Sequence, residues 1–152
     1  MGNRAVVTNK NQEVGIYLHW NGGPESVCAF LTYAKAIGVR GPEYDESYFF
    51  ARLGQICSNF LGGTLSCGMG LVKKLDADNG DNGTYVVDAN FNVAQRLYSG
   101  KDSREVVKES WMRGFLLEID KRMGEHARME DATVLETVEF VKVPGLEIKK
   151  GE

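Results

Sequence analysis

Apolar residues recur along this chain at two different spacings, and the spacing sorts the segments into strands and helices. Residues 14–20 (VGIYLHW) are dense in β-branched and aromatic side chains. They read as a strand whose hairpin partner is residues 4–8, with residues 9–13 as the polar turn. Asn21-Gly22-Gly23 breaks the strand, and Pro24 suits the first position of a helix, where its missing N–H costs nothing. Val27, Leu31 and Ala34, flanked by Phe30 and Ile37, give that helix an apolar stripe over residues 24–37, with Gly38 as its stop. A second helix follows Asp45, a good N-cap, and carries Phe49, Leu53, Ile56 and Phe60 on one face before Gly62-Gly63 ends it. Arg52, Gln55 and Asn59 form a polar strip on another face.

The second half continues in the same way. Residues 64–69 read as a strand, as do 84–88 and 91–98, on either side of turns rich in Asn-Gly and Asp. Residues 76–83 (DADNGDNG) read as a hairpin loop. A long helix is predicted over 103–123, capped by Asp102 or Ser103, with Val107, Trp111, Phe115, Ile119 and Met123 as its core stripe. A last strand is predicted over 133–143, followed by a turn at Pro144-Gly145 and a charged tail. The order is not a regular βαβ alternation. It predicts a single α+β domain over 1–152, with a mainly antiparallel sheet and about three helices packed on it.

Composition narrows the functional classes. The chain has 152 residues, 43% hydrophobic and 26% charged, which suits one globular domain with its own core. A net charge of −3 supplies no basic field for a nucleic-acid polymer. No apolar run reaches membrane-spanning length, no secretory leader is read at the start, and Val6 stands where a myristoylation signal wants Ser or Thr. Cys28, Cys57 and Cys67 form no C-x-x-C pair and are expected as reduced core thiols in the cytoplasm.

Candidate chemistry is sparse. His19-Trp20-Asn21-Gly22-Gly23 leads from a strand into a helix start. Free N–H groups there, with a histidine donor and an indole face, would suit a phosphate and a base. The bland alternative is a tight turn with Trp20 in the core. The loop at Asp78, Asn79 and Asn82 resembles a calcium loop but places Gly80, Asp81 and Val87 where that motif needs a ligand, a glycine and a glutamate. It is expected to bind no metal, and its amides are candidates for a ligand's polar edge. Thr64-Leu65-Ser66-Cys67-Gly68 falls one residue short of a nucleophile elbow, and only His19 and His126 are available as bases. No catalytic residue, metal site or cofactor is expected. Arg52 is the side chain best suited to clamp a phosphate, because a guanidinium offers paired, permanently charged donors. Arg128, in the polar stretch after the long helix, is expected to lie outside any site.

Four segments, GNRAVVT at 2–8, GIYLHWNGGPESV at 15–27, FARLGQICSNFLGGTLS at 50–66 and LDADNGDNG at 75–83, resemble a group of small phage and prophage proteins similar to the phage Thoeris anti-defence family. The resemblance covers roughly the first 90 residues. It implies an oligomeric sponge in the cytoplasm of a host bacterium. Such a sponge holds cyclic ADP-ribose signals, or cyclic oligonucleotides, without cleaving them. It implies ligand contacts from His19, Trp20, Asn21, Gly22, Gly23, Arg52, Asp78, Asn79 and Asn82. A protein–protein inhibitor of a host defence enzyme and a small nucleotide-processing enzyme stay open as alternatives.

Overall fold

The computed structural model describes residues 2–97 and 104–151. Two antiparallel strands, β1 (Ala5–Asn9) and β2 (Val14–Leu18), lead into helices α1 (Pro24–Ala36) and α2 (Glu46–Leu61). Strands β3 (Cys67–Leu71), β4 (Thr84–Val87) and β5 (Val93–Leu97) complete a five-stranded sheet of order β3-β2-β1-β4-β5. Strand β6 (Glu105–Lys108), helix α3 (Glu109–Arg122) and strand β7 (Leu146–Lys149) follow, with β6 and β7 paired as a small second sheet. Every pairing in the larger sheet is antiparallel except β1 with β4. The result is the α+β architecture expected, with α2 packed on the large sheet and α3 packed on α1, α2 and the small sheet.

The middle strand shows what covers each face. Ala5 and Val7 of β1 join Ile16, Leu18, Tyr85 and Val87 in the core beneath the helices. Val6 and Thr8 point the other way and are equally buried. Their cover is the segment 72–83, which leaves β3 at one edge and crosses the back of the sheet to reach β4. Gly15 lets it lie close, since a Cβ there would meet Val72 Cγ2 at 3.1 Å and Val6 Cγ1 at 3.2 Å. The DADNGDNG segment is therefore a crossover and not a hairpin loop, because β2 and β1 stand between the strands it joins. Parallel strands need a connection of about a dozen residues, which this segment provides. Asn79 shapes it. Its Oδ1 accepts from the backbone N–H groups of Asp81, Asn82 and Gly83, and its Nδ2 donates to the carbonyls of Asp76 and Gly83.

Helix α1 is the hub. Ten of its residues are buried, because the sheet, α2, α3 and the returning C-terminal segment surround it. Helix α2 starts and stops where expected. Asp45 accepts from the Tyr48 N–H, and Gly62 closes the helix at φ 70°. Phe49, Leu53 and Ile56 are buried as predicted.

Several elements differ from the sequence reading, beginning with the strand expected over 64–69, which starts only at Cys67. The long helix begins at Glu109, and residues 105–108 pair in parallel with β7 instead. Val106 and Val107 suit a strand, and the partner that captures them lies some 40 residues on, beyond the reach of local periodicity. The α3 stripe is also displaced: Met112, Leu116, Ile119 and Met123 are buried, while Trp111 is 50% exposed. Steps of four residues drift about 40° each around a helix, so the predicted stripe wraps off the core face. The alternation of four, three and four residues holds it there.

The predicted strand over 133–143 is a 3₁₀ turn at Ala132–Glu136 followed by extended chain. That chain is held by side chains. The Val141 N–H donates to Thr32 Oγ1, and the Lys142 N–H donates to Asn92 Oδ1. The supposed charged tail supplies β7. The proposed cap at Asp102 or Ser103 and the end of the strand at Tyr98 lie outside the described residues.

Asn79 makes five hydrogen bonds while only 4% exposed, so Asn79→Ala strands buried backbone groups. The expected loss is about 2–4 kcal/mol, read as a lower urea midpoint. A midpoint equal to wild type would mean that the crossover does not depend on this side chain.

Candidate functional site

The turn from β2 into α1 is built by backbone demand. Asn21 adopts φ 57°, and the Gly22 N–H donates to the Asn3 carbonyl. A Cβ on Gly22 would sit 2.5 Å from that oxygen, so the glycine allows the turn to press against the strand entering β1. Tyr85 Oη donates to the Gly22 carbonyl at 2.6 Å. Tyr17 Oη and His19 Nδ1 are 2.8 Å apart, and Trp20 packs edge-on against His19 while remaining 46% exposed. Trp20 is thus not a core residue.

The helix start behind this turn is already occupied. The Glu25 carboxylate folds back over Gly23 and accepts from the Ser26 hydroxyl at 3.4 Å. A carboxylate of the chain itself thus lies where an external phosphate would approach, a favourable use of the positive helix end. Burial pushes the Glu25 carboxyl above the usual carboxylate range, and Glu105 adds to the shift; the nearby N–H groups of Glu25 and Ser26 oppose it.

The amides of the crossover are likewise engaged. Asn82 Nδ2 donates to Asn3 Oδ1 at 2.6 Å and to the Arg4 carbonyl at 3.0 Å. Arg4 pairs with Asp81 at 2.8 Å and with Asp76 at 3.1 Å. The Arg4 guanidinium and N–H hold the Asp81 carboxyl below its ordinary range. Asp78 is exposed. The structure therefore brings His19, Trp20, Asn21, Gly22, Gly23, Asp78, Asn79 and Asn82 together at one end of the sheet. They are stitched through Asn3 and Arg4.

Arg52 is elsewhere. It lines an open cleft of about 490 Å³ between the carboxyl end of α1, the exposed side of α2 and the segment after α3. Helix α1 has 13 residues, so this cleft lies roughly 20 Å from the glycine turn. The facing wall carries His126, Arg128, Glu130 and Asp131. Arg128, expected outside any site, lines the same cleft as Arg52, its guanidinium 3.5 Å from the Met123 carbonyl. The wall is well fixed: Asp120, buried on α3, accepts from Tyr33 Oη at 2.6 Å and from the Met129 N–H at 2.9 Å. The N–H groups of Ala127 and Arg128 both donate to the Gly124 carbonyl. Asp131 accepts from the hydroxyl and N–H of Thr133, which keep its carboxyl below the ordinary range. Sequence reasoning missed His126 and Arg128 because no local spacing links them to α2.

The thiols are poor nucleophiles. Burial pushes Cys28 up to about 12 and raises Cys57 and Cys67 as well. Among the described residues no cluster of three or more His, Cys, Asp or Glu is placed to hold a metal ion. Among the described residues no helix is long and apolar enough to cross a membrane. No protein-family model, curated protein or solved structure matches this chain.

The elevated Glu25 carboxyl has a testable sign. A raised folded-state pKa means that the protonated form is favoured by folding, so its stabilisation is present at low pH and is lost as pH rises through the elevated value. Wild type should therefore lose stability relative to Glu25→Gln between pH 4 and pH 7, a range that begins near the ordinary glutamate value of 4.5. Urea midpoints of the two proteins at both pH values measure it. A difference that does not change with pH would place the carboxylate in water.

Proposed function

We propose that this protein is a binding module that captures a small phosphate-bearing ligand of the cyclic nucleotide class in the Arg52–Arg128 cleft and holds it unchanged. The observation that carries the reading is the convergence of Arg52 from α2 with Arg128 and His126 from the segment after α3, in a cleft of about 490 Å³. That volume falls in the usual range for small-ligand sites. Two guanidiniums on facing walls suit a phosphate or a pyrophosphate, which each can grip with paired donors. Glu130 offers an acceptor to a ribose hydroxyl or an exocyclic amine, while Asp131 is occupied by Thr133. Ligand class and biological setting come from the resemblance of the first 90 residues or so to phage anti-defence sponges. On this reading the protein sequesters a cyclic ADP-ribose or cyclic oligonucleotide immune signal in the cytoplasm of a host bacterium. A protein-binding role as a defence inhibitor is the second reading, favoured by the half-exposed Trp111 and Leu117 on α3.

Calorimetry with cyclic ADP-ribose isomers and cyclic di- and trinucleotides tests the proposal. Arg52→Ala and Arg128→Ala should each weaken binding about ten- to a hundredfold, the loss of a charge-assisted hydrogen bond worth about 1.5–3 kcal/mol. Lys149→Ala, exposed on β7, should leave affinity unchanged. Ligand released by denaturation should be recovered intact. Equal affinities for wild type and both arginine variants would exclude the cleft. An altered ligand would make the protein an enzyme, and a lack of binding to every nucleotide would favour the inhibitor.

A further inference from the structure

The open edge of the large sheet has features that suit a second copy of itself. Among the described residues β3 pairs only with β2, so its other side carries no strand. The ladder fixes which groups face outward. The His19 N–H donates to the Ser66 carbonyl at one end, and the Val72 N–H donates to the Glu13 carbonyl at the other. Antiparallel pairing alternates between bonded and non-bonded positions, so Ser66, Gly68, Gly70 and Val72 direct their backbone groups toward β2. The N–H and C=O groups of Cys67, Met69 and Leu71 therefore point outward. Natural edge strands are normally guarded by charge, proline or a covering segment. The sequence of β3, CGMGL, has neither charge nor proline. The opposite edge differs: β5 carries Gln95 and Arg96, and its Val93 N–H is bonded to the Lys142 carbonyl.

The outward groups are self-complementary. Placing a two-fold axis at Met69 sets Met69 opposite the partner's Met69, and Cys67 opposite the partner's Leu71. Each opposed pair exchanges two hydrogen bonds, and all six outward groups of each strand are satisfied. The side chains agree. Met69 lies on the helix face, where its Cε would be 2.8 Å from a Cβ on Gly54, yet it is 51% exposed, and Leu71 on the same face is 42% exposed. Pairing would bring these half-covered apolar groups against their counterparts. On the other face Gly68 has nothing within 4 Å of its Cβ position, so no side chain obstructs the approach. Within the paired strands no like charges are opposed. Leu65, 89% exposed, extends the apolar strip.

We propose that two copies join through antiparallel pairing of β3, making one continuous ten-stranded sheet. Gly54 faces β3, and Arg52 lies about 200° around α2 from it, so the dimer leaves the cleft clear and the two proposals stand or fall separately. Sedimentation of the full chain at micromolar concentration should give twice the 16.8 kDa subunit mass. Met69→Pro removes an outward N–H that the subunit itself does not use, so it should keep the wild-type circular dichroism and sediment as a monomer. Hydrogen exchange on wild type provides a second readout, which stands even if Met69→Pro misfolds. The Cys67, Met69 and Leu71 amides should become protected as concentration rises, while Gly68 and Gly70 are protected throughout. A wild-type monomer, a folded Met69→Pro dimer, or outward amides that exchange freely in the dimer would overturn the proposal. So would a dimer that Trp111→Glu dissociates and Met69→Pro does not.

Discussion

A carboxylate buried between helices determines where the last third of the chain can go. Asp120 faces inward from α3 and is satisfied by two donors, the Tyr33 hydroxyl from the last turn of α1 and the Met129 N–H of the returning chain. A charge in that position is tolerable only with both partners present. The pairing fixes α3 against α1 and brings the chain back across the ends of α1 and α2. The cleft wall, with His126 and Arg128, is built on that return. Farther on the same dependence on side chains persists, where Thr32 and Asn92 receive the backbone of residues 141 and 142. The C-terminal part of the domain is thus guided by polar anchors on a core laid down earlier in the sequence, with only one short ladder of its own.

This division explains how much could be read from the sequence. Helices α1 and α2 were legible because their signals are local: Pro24 at a start, Asp45 at a cap, Gly62 at a stop. The β1–β2 hairpin was legible for the same reason. Residues 105–108 and 146–149 were not, because each is a strand only by virtue of the other. Residues 133–143 alternate like a strand but find side-chain acceptors where a strand would find a neighbour. The order of the large sheet was also hidden, since the crossover that separates β3 from β4 is rich in the Asn-Gly turns that usually close hairpins.

The candidate site was legible only in its most local member. Arg52 stood out because it puts a permanently charged guanidinium into the polar strip of α2. The glycine turn and the crossover amides looked available in the sequence because nothing there shows what already binds them. Glu25 covers the helix start, and Asn3 and Arg4 engage the crossover. Polar residues near glycine are equally the materials of a ligand cradle and of a self-satisfied turn, and burial with hydrogen-bond partners tells the two apart. Here most of those donors are spent on holding the sheet's two faces together at one end.

The order of strands also bears on how the protein is made. The earliest strand, β1, stands in the middle of the sheet, flanked by β2, which follows at once, and by β4, whose first residue is 84. During synthesis β1 and β2 can form a hairpin, but one side of β1 and its rear face stay uncovered until β4 and the crossover emerge from the ribosome. Contacts that close so large a stretch of chain form slowly, and exposed strand edges invite association in the meantime. Strand β1 is therefore enclosed only once residues 72–87 have been made, and a nascent chain halted before β4 would present a bare edge of β1 to whatever chaperone attends it.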